Sequence, residues 1–212
     1  MDHLDIIYDA VLDGDAQTAQ SETAIALEAG MAAETILKEA CIPAMDEVGR
    51  LFEIGETFVP QMLIAARAMQ GAVNVLKPIL AEMDAEPLGK VVLGTVEGDL
   101  HDIGKNLVAM MLQGAGFEVV DLGVDVSVEK FVDAVRENTP DIVAMSALLT
   151  TTMVAIPATI KALTEAGLRG GIKILVGGAP ITHEFACTVG ADGFALDAGS
   201  AARVAKGMIE MT

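Results

Sequence analysis

The segment Glu-Gly-Asp-Leu-His-Asp-Ile-Gly-Lys-Asn at 97–106 is chemically dense. It gathers three carboxylates, two glycines, a lysine and one of the chain's three histidines. A histidine alone in a loop is ordinarily a solvated surface residue. His101, however, follows Asp99 by two residues, and a metal-ligating histidine commonly gives its other ring nitrogen to such a carboxylate, which fixes the tautomer and raises basicity. No second histidine or thiolate stands nearby to complete a zinc or iron site. A site with a single histidine makes chemical sense where the metal arrives already held in a macrocycle. The glycines do not make a phosphate loop: neither G-x-G-x-x-G nor a P-loop pattern is spelled, and Glu97 and Asp99 would repel a pyrophosphate.

The elements that must position these residues are of two kinds. Residues 1–85 read as helices. The stretch 16–29 is helix-forming and stops at Gly30, with Asp13 and Asp15 available as caps. From 32 to 52 apolar residues recur at steps of three and four, with Pro43 expected to kink the helix. A long helix follows, with Pro60 tolerated in its first turn. Short joints between such helices predict a four-helix bundle. The polar stretch 81–90, with Pro87 and Gly89, reads as a linker and a candidate hinge.

Beyond it, short apolar, often β-branched runs at 90–96, 117–124, 141–148, 172–178 and 192–196 alternate with helical segments near 103–115, 128–138, 152–167, 181–189 and 198–211. Strict alternation predicts a Rossmann-like, flavodoxin-type α/β domain over 86–212, with five strands in a doubly wound parallel sheet. Ligands of such sheets sit outside the carboxyl ends of the strands. There the first strand runs into 97–104, the third into Ser-Ala-Leu-Leu-Thr-Thr-Thr (146–152) and the fourth into Gly-Gly-Ala-Pro (177–180). The glycines leave a strand end without side chains, as a bulky ligand lying against backbone would require.

Bulk properties narrow the partners. The 212 residues are 52% hydrophobic with 12 methionines and no tryptophan, so packing is aliphatic and adaptable. A formal charge of −18 argues against nucleic acid and against an anionic membrane surface. The acidic N-terminus is unlike a signal peptide, and the uncharged run 142–160 reads as strand, loop and helix rather than a membrane span. Cys41 and Cys187 stand far apart and read as free thiols of a reducing compartment. A cytoplasmic protein is expected.

Taken together, Asp99-x-His101-x-x-Gly104, Ser146-x-Leu148 and Gly177-Gly178 resemble the D-x-H-x-x-G, S-x-L and G-G pattern of cobalamin-binding proteins. The stretch Gly-Arg-Leu-Phe-Glu-Ile-Gly-Glu-Thr-Phe-Val-Pro-Gln-Met-Leu-Ile-Ala-Ala-Arg-Ala-Met at 49–69 is similar to the helical cap of cobalamin-dependent methyltransferases, including the matching modules of methionine synthase. The resemblance covers nearly the whole chain, and stand-alone corrinoid proteins of methyltransferase systems share its form.

It implies cobalamin bound base-off, with His101 as lower cobalt ligand, Asp99 hydrogen-bonded to it and Thr152 third in the relay, where methionine synthase has serine. Ser146 and Leu148 would contact the buried tail, and Gly104, Gly177 and Gly178 would admit the cofactor to the backbone. Phe52, Phe58, Val59 and Met62 would face the reactive side from the cap, although such residues in a bundle are often core. Asp102 and Lys105 read as solvent-side or local helix contacts. The implied function is a methyl carrier that does not catalyse alone. Cob(I)alamin accepts a methyl group from a substrate-specific methyltransferase and passes it to a second one serving tetrahydrofolate or coenzyme M, while a reductive activase rescues oxidised cobalt. A mutase small subunit, a corrinoid sensor and a plain flavodoxin-like domain are the rival readings.

Overall fold

The computed structural model describes residues 2–82 and 86–210 and divides into two compact units, Met1–Glu86 and Pro87–Thr212. The first is helical: α1 (His3–Asp13), α2 (Ala16–Glu28), α3 (Ala33–Ile36), a π-helical turn (Leu37–Cys41), α4 (Ile42–Glu53) and α5 (Val59–Glu82). Its local signals are legible. Asp2 and Asp5 form a capping box on α1, Gly14 closes that helix in the left-handed region, and the Asp15 carboxylate accepts the Thr18 N–H to start α2.

Helices α3 and α4 with the π turn between them run as one continuous segment, giving four helical pieces in all. The distortion expected at Pro43 takes the form of that π turn. Pro43 has no N–H to donate, and the turn closes with Ile42 N–H donating to the Leu37 carbonyl instead. Small residues fill the interior, among them Ala19, Ala26, Ala40, Ala44, Ala65, Ala68 and Ala72, and Met45, Met62 and Leu76 occupy the larger gaps.

The second unit is a five-stranded parallel sheet in the order β2-β1-β3-β4-β5, with β1 (Lys90–Thr95), β2 (Glu118–Asp121), β3 (Ile142–Ser146), β4 (Lys173–Gly177) and β5 (Gly193–Ala195). Connecting helices are α6 (Ile103–Gly114), α7 (Val128–Asn138), α8 (Ala155–Glu165) and α9 (His183–Val189), with α10 (Ala198–Glu210) last. Central strands read as unbroken apolar runs because both faces are covered: Val91, Val92, Ile142, Val143 and Ile174 are fully buried. Every strand and helix expected here is present, with ends that match or fall up to three residues short of the expected ranges. The uncharged run 142–160 is β3, a loop and the start of α8, and among the described residues no helix is long and apolar enough to cross a membrane.

Of the linker and hinge expected at 81–90, residues 83–85 lie outside the described residues. Its last part already belongs to the sheet unit. Leu88 N–H donates to the Gly116 carbonyl, and Lys90 N–H to the Asp141 carboxylate at 2.7 Å.

Candidate functional site at the topological switch point

Strand order reverses between β1 and β3, and the loops leaving them diverge to opposite sides, which opens a crevice at their carboxyl ends. The register sets a level row across this edge, Thr95 beside Ser146, Ser146 beside Gly177, and Gly177 beside Ala195. The residues singled out by their chemistry start from this row.

Asp99 is fully buried, and both of its oxygens are engaged. Oδ1 accepts the His101 backbone N–H at 3.1 Å and lies 2.7 Å from His101 Nδ1. Oδ2 accepts the Leu148 N–H and the Thr152 hydroxyl, each at 2.7 Å, and the Leu149 N–H at 3.4 Å. Burial by itself pushes this carboxyl up, but the hydrogen bonds from Thr152, Leu148 and His101 outweigh it and hold the group well below the usual carboxylate range. Asp99 is therefore an acceptor only. That forces Nδ1 of His101 to carry the hydrogen and leaves the Nε2 lone pair bare. The ring itself is half exposed.

His101, Asp99, Leu148 and Thr152 are thus brought together through direct contacts, from segments about fifty residues apart. Ser146 stands in the same row and its carbonyl accepts the Val96 N–H at 3.0 Å. Gly177 and Gly178 have a reason for being glycine that lies within the protein. A Cβ on Gly178, where φ is +122°, would overlap the Ala147 carbonyl, and one on Gly177 would come within 3.0 Å of the Ala195 carbonyl oxygen. Gly104 is different, because nothing lies within 4 Å of where its Cβ would stand. In the helical unit, Phe58 is 62% exposed at the start of α5, Phe52 and Val59 are half-buried, and Met62 is enclosed in the core at 2%.

The sequence reading holds for Asp102, is corrected at Lys105 and missed Thr95. Asp102 is a local contact, its carboxylate accepting from Asn106 Nδ2. Lys105 is not solvent-facing: it is 3% exposed and its ammonium pairs with Asp121, at the end of β2, and with Asn106 Oδ1. A buried lysine needs a carboxylate, and this one comes from the neighbouring strand rather than its own helix. Thr95, fully buried, donates its hydroxyl to the His101 carbonyl at 2.9 Å; a threonine ending an apolar strand was the only sequence signal for it.

What could such a site hold? Among the described residues no group of three or more His, Cys, Asp or Glu side chains is arranged around a bare metal ion. His101 offers a single imidazole nitrogen, so a metal held there must bring the rest of its ligands with it. The surroundings suit a large apolar group: Leu100, Ile103, Leu148, Leu149, Val154 and Leu196, all in segments following β1, β3 and β5, are 39–80% exposed. A lone donor in an apolar rim, beside an open space at Gly104, fits a metal-bearing macrocycle.

The comparisons agree. The B12 binding domain family matches residues 89–205, and a second family of the same description matches residues 4–77. Trimethylamine corrinoid protein 1 of Methanosarcina mazei is 45% identical over 186 residues, 87% of this chain and 86% of that one. Dimethylamine corrinoid protein 1 of Methanosarcina acetivorans is 44% identical over 175 residues, 82% of each. Among solved structures, a cobalamin-binding protein from Desulfitobacterium hafniense superposes with a TM-score of 0.82 at 36% identity, over 97% of this chain and 98% of that one. The methanol:cobalamin methyltransferase complex MtaBC of Methanosarcina barkeri gives 0.86 at 31%, over 99% of this chain and 80% of that one. The fold and the site define a cobalamin-binding protein. The chain belongs to the B12-binding corrinoid proteins of methyltransferase systems.

Proposed function

We propose that this chain is a methyl carrier in which His101 Nε2 is the lower ligand to cobalt and the helical unit, 1–85, serves as the cap to a cofactor domain over 86–212. The reading rests above all on one contact, Asp99 Oδ1 to His101 Nδ1 at 2.7 Å, which leaves Nε2 as the free donor. The cobalamin, when bound, supplies a cobalt nucleophile able to take and give up a methyl group. The protein's part is to hold that cobalt by one adjustable ligand and to exclude water.

Thr152 completes the adjustment. Its hydroxyl oxygen lies 2.7 Å from Asp99 Oδ2 and 2.9 Å from the Leu149 carbonyl, but it has one hydrogen to give. With Asp99 ionised, the hydroxyl donates to Asp99. The Leu149 carbonyl is its second acceptor, so the hydroxyl can move between the two as the charge on the Asp99–His101 pair changes, which suits a histidine whose hold on cobalt must vary. Ser146, Leu148, Gly104, Gly177 and Gly178 are assigned to the nucleotide tail, and Phe52, Phe58, Val59 and Met62 to the cap.

The methylamine corrinoid proteins among its relatives support a methylated amine as the donor class. The MtaBC complex supports a methyltransferase as the loading partner. A second methyltransferase serving tetrahydrofolate or coenzyme M, and a reductive activase, complete the proposed system. The test is an ultraviolet-visible spectrum of the chain loaded with hydroxocobalamin, beside His101→Ala. Stoichiometric binding with a base-off, histidine-on spectrum that the variant loses is the expected result. Binding with no effect of the substitution refutes the ligand assignment, and no binding at all refutes the carrier.

A further inference from the structure

We propose that Asp125 is a positioning residue for His101, acting through the loop that joins β1 to α6; this rests on the reading of His101 as the cobalt ligand. Asp125 has φ of +50°, and among the described residues only Thr139, which ends α7, shares the left-handed region without being glycine. Aspartate enters that region more readily than most residues but at a cost that glycine avoids. The side chain accounts for its presence. Asp125 Oδ1 accepts the Gly98 N–H at 2.7 Å while the Asp125 N–H donates to the Asp99 carbonyl at 2.9 Å. One residue of the β2–α7 loop thereby grips the two consecutive residues just before the Leu100–His101 step.

The grip is anchored at both ends. The β2–α7 loop begins at Asp121, which pairs with buried Lys105 on α6 and accepts the Gly123 N–H at 2.9 Å. It ends where Val126 N–H donates to the Thr95 carbonyl and Val96 bridges Val126 in parallel fashion. On the far side of His101, Thr95 Oγ1 holds the His101 carbonyl. The 96–102 loop is thus fastened before and after its histidine, and Asp125 is the only side chain of the β2–α7 loop bonded to its free, exposed portion at Gly98. The ring's aim depends on where Asp99 and the backbone of 98–101 sit, so loosening Gly98 spreads the positions of Nε2.

Two variants separate the carboxylate from the backbone. Asp125→Gly keeps the left-handed conformation available but removes the acceptor; Asp125→Asn keeps an acceptor oxygen and tolerates the conformation. In the chain without cobalamin, amide hydrogen exchange at Gly98 and His101 should quicken about fivefold in Asp125→Gly, the factor expected for one ordinary hydrogen bond. Exchange at buried Val143 should not change. Loaded with hydroxocobalamin, Asp125→Gly should bind the same amount while its ratio of histidine-on to histidine-off cobalt falls by about the same factor. Asp125→Asn should restore both readings.

A wild-type ratio and wild-type exchange at His101 in Asp125→Gly, against a spectrum that depends on His101, overturns this proposal alone. A spectrum indifferent to His101→Ala overturns the ligand assignment and this proposal with it.

Discussion

Replacing Asp99 with asparagine exchanges an acceptor-only group for one with a single oxygen and an amide. In the native site Oδ1 serves two donors of His101, and Oδ2 serves the Leu148 N–H, the Thr152 hydroxyl and, at longer range, the Leu149 N–H. If the amide faces Leu148, Thr152 can turn to Leu149, but the Leu148 N–H meets a donor. If it faces His101, the ring can adapt only by moving its hydrogen to Nε2, which removes the lone pair that would ligate cobalt, and the His101 N–H is still stranded. Either way one part-buried N–H loses its acceptor, costing about 1–3 kcal/mol, and the remaining short contacts lose charge assistance worth about 1 kcal/mol. The expected destabilisation of the sheet unit is therefore about 2–4 kcal/mol at pH 7.

Urea unfolding at constant m-value measures it. The pH dependence gives a second check. The Asp99 carboxyl sits below its unfolded-state range when folded, so its contribution is complete above about pH 5 and is lost as pH falls through about 4 toward the folded value. The difference between the two proteins isolates this carboxylate. The gap between wild type and Asp99→Asn should hold from pH 7 to about 5 and close on acidification. A variant as stable as wild type at pH 7, or a gap that widens in acid, refutes the account of this carboxylate.

The Lys105–Asp121 pair should respond asymmetrically. Asp121→Ala leaves an ammonium that is 2% exposed with only Asn106 for a partner, costing about 3 kcal/mol, whereas Lys105→Met leaves a carboxylate that water can reach and should cost under about 1 kcal/mol in the same unfolding assay. The two glycines of the site should diverge as well. Gly178→Ala forces a Cβ into the Ala147 carbonyl at a positive φ and should cost about 3–5 kcal/mol. Gly104→Ala meets nothing within 4 Å and should leave stability unchanged or raised by up to about 1 kcal/mol, while weakening cobalamin binding in a spectroscopic titration. Finally, burial pushes the Cys41 thiol up to about 12, and Cys187 is exposed. A thiol reagent should count one cysteine in the native chain and two in denaturant.

Most of the fold was legible because its signals are local. A strand covered on both faces must be an apolar run, and Val91–Leu93, Ile142–Met145 and Ile174–Val176 are such runs, ended by polar residues or glycine where the loops begin. The pairing of Asp99 with His101 was legible for the same reason, being two residues apart. What escaped was non-local. Lys105 looks like a helix-surface lysine until Asp121, sixteen residues on, is seen beside it. Asp125 and Thr95 carry no spacing that marks them, since what they hold is the backbone of another segment. The glycines at 177 and 178 were read through a ligand, and the backbone of Ala147, just past β3, and of Ala195 in β5 also leaves no room for a Cβ there.

Asp99 does two things with one carboxylate, and this bears on how the site must be dissected. Through Oδ2 it joins the loop after β1 to the loop after β3; through Oδ1 it sets the tautomer of His101. An open parallel sheet parts its loops at the switch point, and a buried anion that gathers N–H and O–H donors from both sides closes the floor of that crevice. The electronic role thus comes attached to a structural one, and every substitution at Asp99 disturbs both. Thr152 touches the same oxygen and inherits the same ambiguity. Asp125 does not: it bonds the Gly98 N–H and the Asp99 backbone carbonyl rather than the Asp99 carboxylate, and it is exposed. A change in the hold on cobalt that appears in Asp125→Gly without the stability loss of Asp99→Asn would therefore separate the aim of the imidazole from the integrity of the crevice.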